Sequence, residues 1–480
     1  MYEQAYNRGI TLIESLKDAC LLEANKMHYV KMHDVVRDVA IWISRTFGDE
    51  HTSVFQARIR LTEVSDIKIS PSVKRISFVS NEIECLPDCF PKCPKTTSLL
   101  LQGNYRLEKI PQEFFLAFPA LIVLNLSHTS IRALPSSINS LCQLRALILQ
   151  SCFKLNELPP VANLHNLQVL DCDDTVLRCL PQGMDNLTNL RLLNMSPSYL
   201  GATSFDEISS LRNLTHLFIR VDSSSCLNRD YTWTWMTRLK GFHIRVGETS
   251  IHLPYNKSVR AINVHNCEIF SNGELSSMLQ FASDLYLNKC MGLRKLIAYN
   301  TFNGLKFLNI QLCSCSFGPV EGGSGKLDPL PNLEHLDLLF IQNLNGVCSV
   351  PKNLEEIVID QCYQLVELYV QCSSSDQAEL VNSEIPRVRK LKLYYLPELG
   401  TLGEPQSTLE HLEELTVIGC DGLRKLPLSI QTSKNIKIIK GKPEWWSQLE
   451  WDDDNFKSNL EHCFHCMTGD VPINFHVFNC

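Results

Sequence analysis

The sequence lacks most of the features that give a quick functional reading. It has no long apolar run. The longest, Phe114 to Leu124, contains Pro119 and is too short to cross a bilayer, so no membrane span is expected. It has no surplus of positive charge: 45 Lys and Arg stand against 52 Asp and Glu, a formal charge of −7. No polybasic stretch accompanies that balance, and a nucleic-acid surface is not expected. No hydrophobic leader opens the chain, which argues against an oxidising compartment. For the same reason the N-x-S/T triplets at Asn125 and Asn186 say nothing about glycosylation. The phosphate-cradling pattern G-x-x-x-x-G-K followed by Ser or Thr is absent. The nearest composition, Gly322-Gly323-Ser324-Gly325-Lys326, lacks the Ser or Thr that would meet Mg²⁺ and reads as a flexible insertion. No Ser/His/Asp or Cys/His arrangement stands out either. An enzyme is not expected.

Leucine in a fixed register is what the chain has in quantity. One copy reads Leu121, Leu124, Leu126, Thr129, Ile131, Leu134, Pro135, and another Leu167, Leu170, Cys172, Thr175, Leu177, Leu180, Pro181. Fifteen copies start at residues 73, 96, 121, 144, 167, 190, 214, 239, 259, 282, 305, 333, 354, 388 and 412, most of them 23 to 25 residues apart. That period is the one expected of leucine-rich repeats, about 20–29 residues. Each unit supplies a short strand and an irregular or helical return. Alternation sends the fourth and sixth residues inward and the third, fifth and seventh outward. No unit buries its leucines alone, so stability comes from stacking. The predicted fold is an α/β solenoid with a curved parallel sheet on its concave face.

The ninth position lies where the chain leaves the strand, and a small side chain there can bond backbone groups that the turn leaves unpaired. Its occupants include Asn81, Asn104, Thr129, Thr175, Ser198 and the cysteines 152, 267, 290, 313, 362 and 420. Six of the twenty cysteines are thereby assigned as small buried residues, and Cys172 fills an inward sixth position. Reduced, structural thiols are expected, in the cytoplasm. The cluster His462-Cys463-Phe464-His465-Cys466 carries four donors in five residues, a spacing hard to wrap round one tetrahedral ion, and metal binding is not expected. The residues after about 455 read as a loose tail. Asp171 and Asp173 read as a solvated pair on an open surface.

Residues 1–70 do not follow the repeat. Ile10, Leu12, Ile13 and Leu16 suit an amphipathic helix, Val30–Met32 a strand, and Val35, Val36, Val39, Ala40 and Ile43 a second helix that Asp34 begins. Such a piece is too small for its own core and reads as part of a larger domain. Leu12 to Glu23, followed by Val30-Lys31-Met32-His33-Asp34-Val35-Val36-Arg37-Asp38-Val39-Ala40, resembles the end of a plant NB-ARC module. It is similar to that of intracellular disease-resistance proteins of the coiled-coil, nucleotide-binding, leucine-rich-repeat class. Met32-His33-Asp34 matches the MHD motif of that class's winged-helix subdomain. Gly441 to Trp446 and Leu449 to Asp453 resemble its closing segment.

The resemblance implies a switch in which ADP keeps a receptor closed and ATP opens it. His33 would approach the ADP β-phosphate with Asp34 supporting it. From local residues alone, His33 is a helix-start residue beside a capping Asp34. Without a phosphate loop the chain is expected to bind no nucleotide by itself and to lack the N-terminal nucleotide-binding module, ADP or ATP being expected only in a full-length member. The expected organisation is the winged-helix end at 1–70, the solenoid at 71–440, and a closing segment and tail at 441–480. The expected partners are a pathogen effector or a guarded host protein and, in the full-length protein, the nucleotide module itself. Membrane or nuclear association would come through partners. A leucine-rich-repeat adaptor in a ubiquitin ligase or signalling scaffold is the alternative, and an F-box-like N-terminus would favour it.

Recognition is expected on the outward positions. The aromatic, Arg and His side chains of the middle repeats, His216, Phe218, Arg220, His243, Arg245, His265 and Tyr286, are the predicted partner-binding stripe. Two longer repeats carry insertions at 318–329 and 371–386, which read either as loops, often on the binding face of a solenoid, or equally as tolerated disorder.

Overall fold

A computed structural model describes residues 2–24, 30–32, 34–46, 53–65, 67–200, 204–221, 233–247, 260–267, 274–291, 302–313, 330–344, 351, 353–368, 387–403, 409, 411–426, 430–451 and 454–467. His33, the glycine-rich stretch at 322–326 and both insertions lie outside them. The chain divides into two compact units, Met1–Leu190 and Arg191–Cys480.

The first unit opens with helix α1 (Tyr2–Asp18), strands β1 (Leu22–Ala24) and β2 (Val30–Met32) in antiparallel register, and helix α2 (Asp34–Thr46). Both helices form where the apolar spacing predicts them. Asp34 sits in the first turn of α2 and accepts a hydrogen bond from Arg37 at 2.9 Å. Much of the predicted apolar face is nevertheless open to solvent: Ile10, Leu12, Ile13, Val35 and Val39 are all exposed. Strands β3 (Ser53–Phe55), β4 (Arg75–Ser77), β5 (Ser98–Leu100), β6 (Val123–Asn125), β7 (Ala146–Ile148) and β8 (Val169–Asp171) then pair in parallel. The sheet therefore begins one rung before the first repeat read from the sequence. The signal there is weak because β3 carries no leucine.

The second unit holds β9 (Leu192–Leu200), β10 (His216–Val221), β11 (Gly241–Val246), β12 (Arg260–His265), β13 (Asp284–Asn288), β14 (Phe307–Gln311), β15 (His335–Leu339), β16 (Glu356–Asp360), β17 (Lys390–Tyr394), β18 (Glu414–Ile418), β19 (Ile438–Gly441) and β20 (Phe464–Cys466). Each pairs in parallel with the next. The last pairing corrects the expectation of a loose tail for Phe464–Cys466, and residues 468–480 lie outside the described residues. Phe464 stacks on Trp446 at 4.5 Å, and Trp445 donates its indole N–H to the Leu423 carbonyl, closing the end of the sheet.

The inward rows are as the repeat predicts. Leu124, Leu126, Leu147, Leu149, Leu170 and Cys172 in the first unit, and Leu285 to Val417 at the matching positions of the second, are buried. Each such side chain contributes about 1.5–3 kcal/mol of burial. The ninth position does what its residue types suggest. Asn104 accepts from the Ile83 N–H and donates to the Phe78 and Leu101 carbonyls, Thr129 donates to the Leu126 carbonyl, and Cys152 donates to the same oxygen from the next repeat. Cys290, Cys313 and Cys362 likewise reach back to the carbonyls of Val264, Leu287 and Leu338. None of the described cysteines is in a disulfide.

The eighth position carries a feature the sequence does not announce. Ser80, His128, Ser151, Asp174, Asn266, Lys289, Leu312, Phe340, Gln361 and Tyr395 all have φ between 50° and 60°, and Gly103 and Gly419 occupy the same place with φ of 79° and 67°. A left-handed non-glycine residue costs about 1–2 kcal/mol. The turn persists because it aims the eighth N–H at the seventh carbonyl of the following repeat. His128 donates to Gln150, Lys289 to Gln311 and Phe340 to Asp360 in this way.

A candidate protein-recognition face

In the second unit, register aligns the outward residues into rows. Phe218, His243, Ala261, Asp284, Phe307, His335, Glu356 and Lys390 form one row. Arg220, Arg245, Asn263, Tyr286, Asn309, Asp337, Val358 and Lys392 form the next. His265 starts a third, followed by Asn288, Gln311, Leu339, Asp360 and Tyr394. The short 20-residue spacing before residue 259 appears as a two-residue offset between β11 and β12, which keeps the parity and leaves the rows continuous.

The structure divides the predicted stripe. Phe218 is 1% exposed, and Arg220, His243 and Arg245 are 8% exposed, so these four are not solvent-facing as expected. Alternation decides the face on which a residue lies, not whether that face is open, and β11 is buried along its whole length. Arg220 donates from Nε to the Gly247 carbonyl at 3.2 Å. His243 Nε2 has no hydrogen-bond partner among the described residues. Burial, with the neighbouring Arg245 charge, pulls the His243 imidazole down to about 3, so it is neutral at physiological pH. His216, His265 and Tyr286 are half-buried, and His216 Nδ1 lies 3.0 Å from the Thr215 hydroxyl. Asp171, expected to be solvated, is buried and accepts from Gln150 Nε2 at 2.9 Å.

The open part of the face starts at β13. Tyr286 and Phe307 lie 5.2 Å apart between ring centroids, and Phe307 and His335 6.3 Å. Burial, reinforced by the Asp284 and Asp337 charges, pushes the Tyr286 hydroxyl up to about 12. Asp337 accepts one hydrogen bond, from Asn309 at 3.1 Å, and burial pushes its carboxyl up to about 6. Asp360 is also held at about 6 by burial. Glu356 behaves differently. Burial pushes it up, but the 2.6 Å bond from Lys392 and the charges of Lys392, His335 and Lys390 outweigh that and leave it below its ordinary value. The sequence reading named Tyr286 here and passed over His335, Asp337, Glu356 and Asp360, although the third, fifth and seventh places of the repeats starting at 333 and 354 mark them.

In the Cys/His cluster near the C-terminus only Cys463 Sγ and His462 Nε2 are brought together among the described residues, at 3.3 Å. Cys463 is buried and bonds the Ile436 carbonyl, whereas His465 and Cys466 are exposed. Among the described residues no group of three or more His, Cys, Asp or Glu could hold a metal ion, and no helix is long and apolar enough to cross a membrane.

The family model "Leucine rich repeat" matches residues 94–152. An Arabidopsis thaliana disease resistance protein is 33% identical over 98% of this chain and 55% of its own length. A probable disease resistance protein of the same plant is 31% identical over 89% of this chain and 54% of its own length. The chain thus spans about half the length of these relatives. Among solved structures, a leucine-rich-repeat protein of Leptospira interrogans aligns at 18% identity and a TM-score of 0.48, over 86% of this chain and 98% of that one.

Proposed function

We propose that this chain, which belongs to the leucine-rich-repeat disease-resistance class of plant proteins, is the partner-reading part of an immune receptor. It binds a pathogen effector, or a host protein that an effector modifies, and it does so on the outward rows of β13 to β17. The observation carrying this reading is the half-exposed group Tyr286, Phe307, His335 and Asp337, which puts aromatic rings beside desolvated charge on a rigid sheet. Such side chains supply most of the binding energy at protein interfaces. His216 and His265 flank the group. The buried Phe218, Arg220, His243 and Arg245 fix the sheet beside it rather than touch the partner.

In a full-length receptor the repeats also restrain a nucleotide module, with His33 and Asp34 as its ADP-sensing latch. The exposed apolar faces of α1 and α2 support this part of the reading, since they have the composition of a surface completed by further protein. Such a receptor works in the cytoplasm and reaches a membrane or the nucleus through what it binds.

Proximity labelling in pathogen-challenged leaf tissue tests the proposal, comparing the parent with Tyr286→Ala and Phe307→Ala. A protein labelled by the parent and lost from both variants is expected. Identical labelling by all three places recognition elsewhere.

A further inference from the structure

The charged groups on the open face are unevenly partnered. Its lysines are engaged: Lys392 is bound to Glu356 at 2.6 Å and the flanking Lys306 holds Glu334 at 2.8 Å, while the His335 imidazole lies 3.4 Å from the Glu356 carboxylate. Among the described residues no ion pair reaches Asp284, Asp337 or Asp360. Asp284 accepts one bond from the Ser283 hydroxyl at 2.6 Å, and Asp337 one from Asn309. Asp360 is only 7% exposed, yet among the described residues its Oδ1 has no hydrogen-bond partner. A buried carboxylate oxygen without a donor is costly, and folded proteins rarely keep one without a use. Asp360 lies one strand over and two residues along from Asp337, on the same outward parity. Tyr286 and Phe307 lie between Asp284 and Asp337 in the adjacent rows.

We propose that this face takes an arginine side chain of a protein partner, its guanidinium seated against the Tyr286 and Phe307 rings and hydrogen-bonded by Asp337, with Asp284 and Asp360 completing the negative wall. The inference rests on the proposed function and names the chemistry of what that face recognises. A metal ion is less well served: among the described residues no group of three or more His, Cys, Asp or Glu could hold one. A guanidinium suits the face better, having five N–H donors in a planar fork and a flat face that stacks on aromatic rings. Nucleic acid is repelled by the same three aspartates. Burial raises all three carboxyls, and a docked cation offsets what that burial costs their charged forms.

The full 480-residue chain is titrated with fluorescent dodecapeptides of one Gly/Ser background carrying two arginines, two citrullines or two glutamates. Citrulline keeps the shape of arginine and removes its charge. Saturable binding of the arginine peptide alone is expected, weakened about tenfold or more by Asp337→Asn and by Phe307→Leu. It is unchanged by Glu108→Gln, an exposed acid of the first unit. Asp337→Asn removes a desolvated charge, so thermal melting distinguishes lost recognition from lost folding. Equal binding of arginine and citrulline peptides, no binding of either, or an unaffected Asp337→Asn variant overturns the inference. A leaf-tissue partner lost with Phe307→Ala but retained by Asp337→Asn would leave the recognition face standing and remove the arginine. Retention by both variants removes the face itself.

Discussion

Replacing Asn104 by Ala tests the ladder that holds each repeat to its neighbour. Asn104 is fully buried and makes three hydrogen bonds, donating to Leu101 O at 2.6 Å and Phe78 O at 2.9 Å and accepting from Ile83 N at 3.3 Å. Alanine leaves the Leu101 carbonyl and the Ile83 N–H without that partner in a dry turn, whereas the Phe78 carbonyl keeps a bond from Asn81 Nδ2 at 3.1 Å. A buried polar group stranded in this way costs about 1–3 kcal/mol. The two stranded groups share one turn that can relax, so the sum is smaller than two full penalties, about 2–4 kcal/mol. Asn104→Thr restores one donor, as Thr129 does at its own rung, and is expected to recover about 1 kcal/mol of that loss. Urea unfolding followed by circular dichroism, with hydrogen exchange at Ile83 and Leu107, reads both the size and the place of the effect. Solenoid stability is a sum of repeat and interface terms, so exchange is expected to accelerate around residues 78–107 before it does in the second unit. If Asn104→Ala lies within about 0.5 kcal/mol of the parent, water or a shifted backbone replaces the side chain, and the ladder is not what joins the repeats.

Asp337→Asn and Asp360→Asn are each expected to stabilise the protein at pH 7.5 and to have little effect at pH 4. Both folded-state values are raised to about 6, so the neutral form is favoured by folding, and stability present below the ordinary carboxylate range is lost as pH rises through 6. At about 1.4 kcal/mol per unit the gain is up to about 2–3 kcal/mol, and a variant less stable than the parent at pH 7.5 would contradict it. Lys289 is exposed with φ of 52°, so Lys289→Gly is expected to raise stability by about 0.5–1 kcal/mol and Lys289→Ile to lower it by about 1, as read by thermal melting. Cys267, Cys290 and Cys313 are buried, and are expected to resist iodoacetamide in the native state while the exposed Cys85, Cys89, Cys142 and Cys179 react. Mass spectrometry finding both groups labelled alike would show the second unit opening on the labelling timescale.

The sequence made legible whatever a strict period controls. Leucines at the fourth and sixth places, small polar residues and cysteines at the ninth, and the strand parity that puts Tyr286 and Phe307 on one face all follow from spacing. The left-handed eighth residue was not legible, because its occupants range from Ser80 to Phe340 and Tyr395 with glycine in only two places. Nor was the covering of the outward face at β10 and β11, since alternation carries no information about what lies beyond the sheet. Strand β20 was hidden for a different reason. It has three residues and no leucine, and is specified by the Trp446–Phe464 stack rather than by its own pattern. His33, the residue on which the switch resemblance turns, lies outside the described residues.

The ninth-position ladder has a consequence for how this molecule can change over generations. Its bonds run between small side chains and backbone carbonyls, and the leucine rows pack without help from the third or fifth places. From β13 to β17 the side chains of the third and fifth places can therefore be rewritten one at a time, with little penalty to the scaffold. At β10 and β11, where the same places are enclosed, each change must first satisfy packing. A population under pressure from varying pathogens would accumulate its substitutions in the first region and keep the second nearly constant, so the pattern of allelic variation should mark the contact surface before any partner is identified.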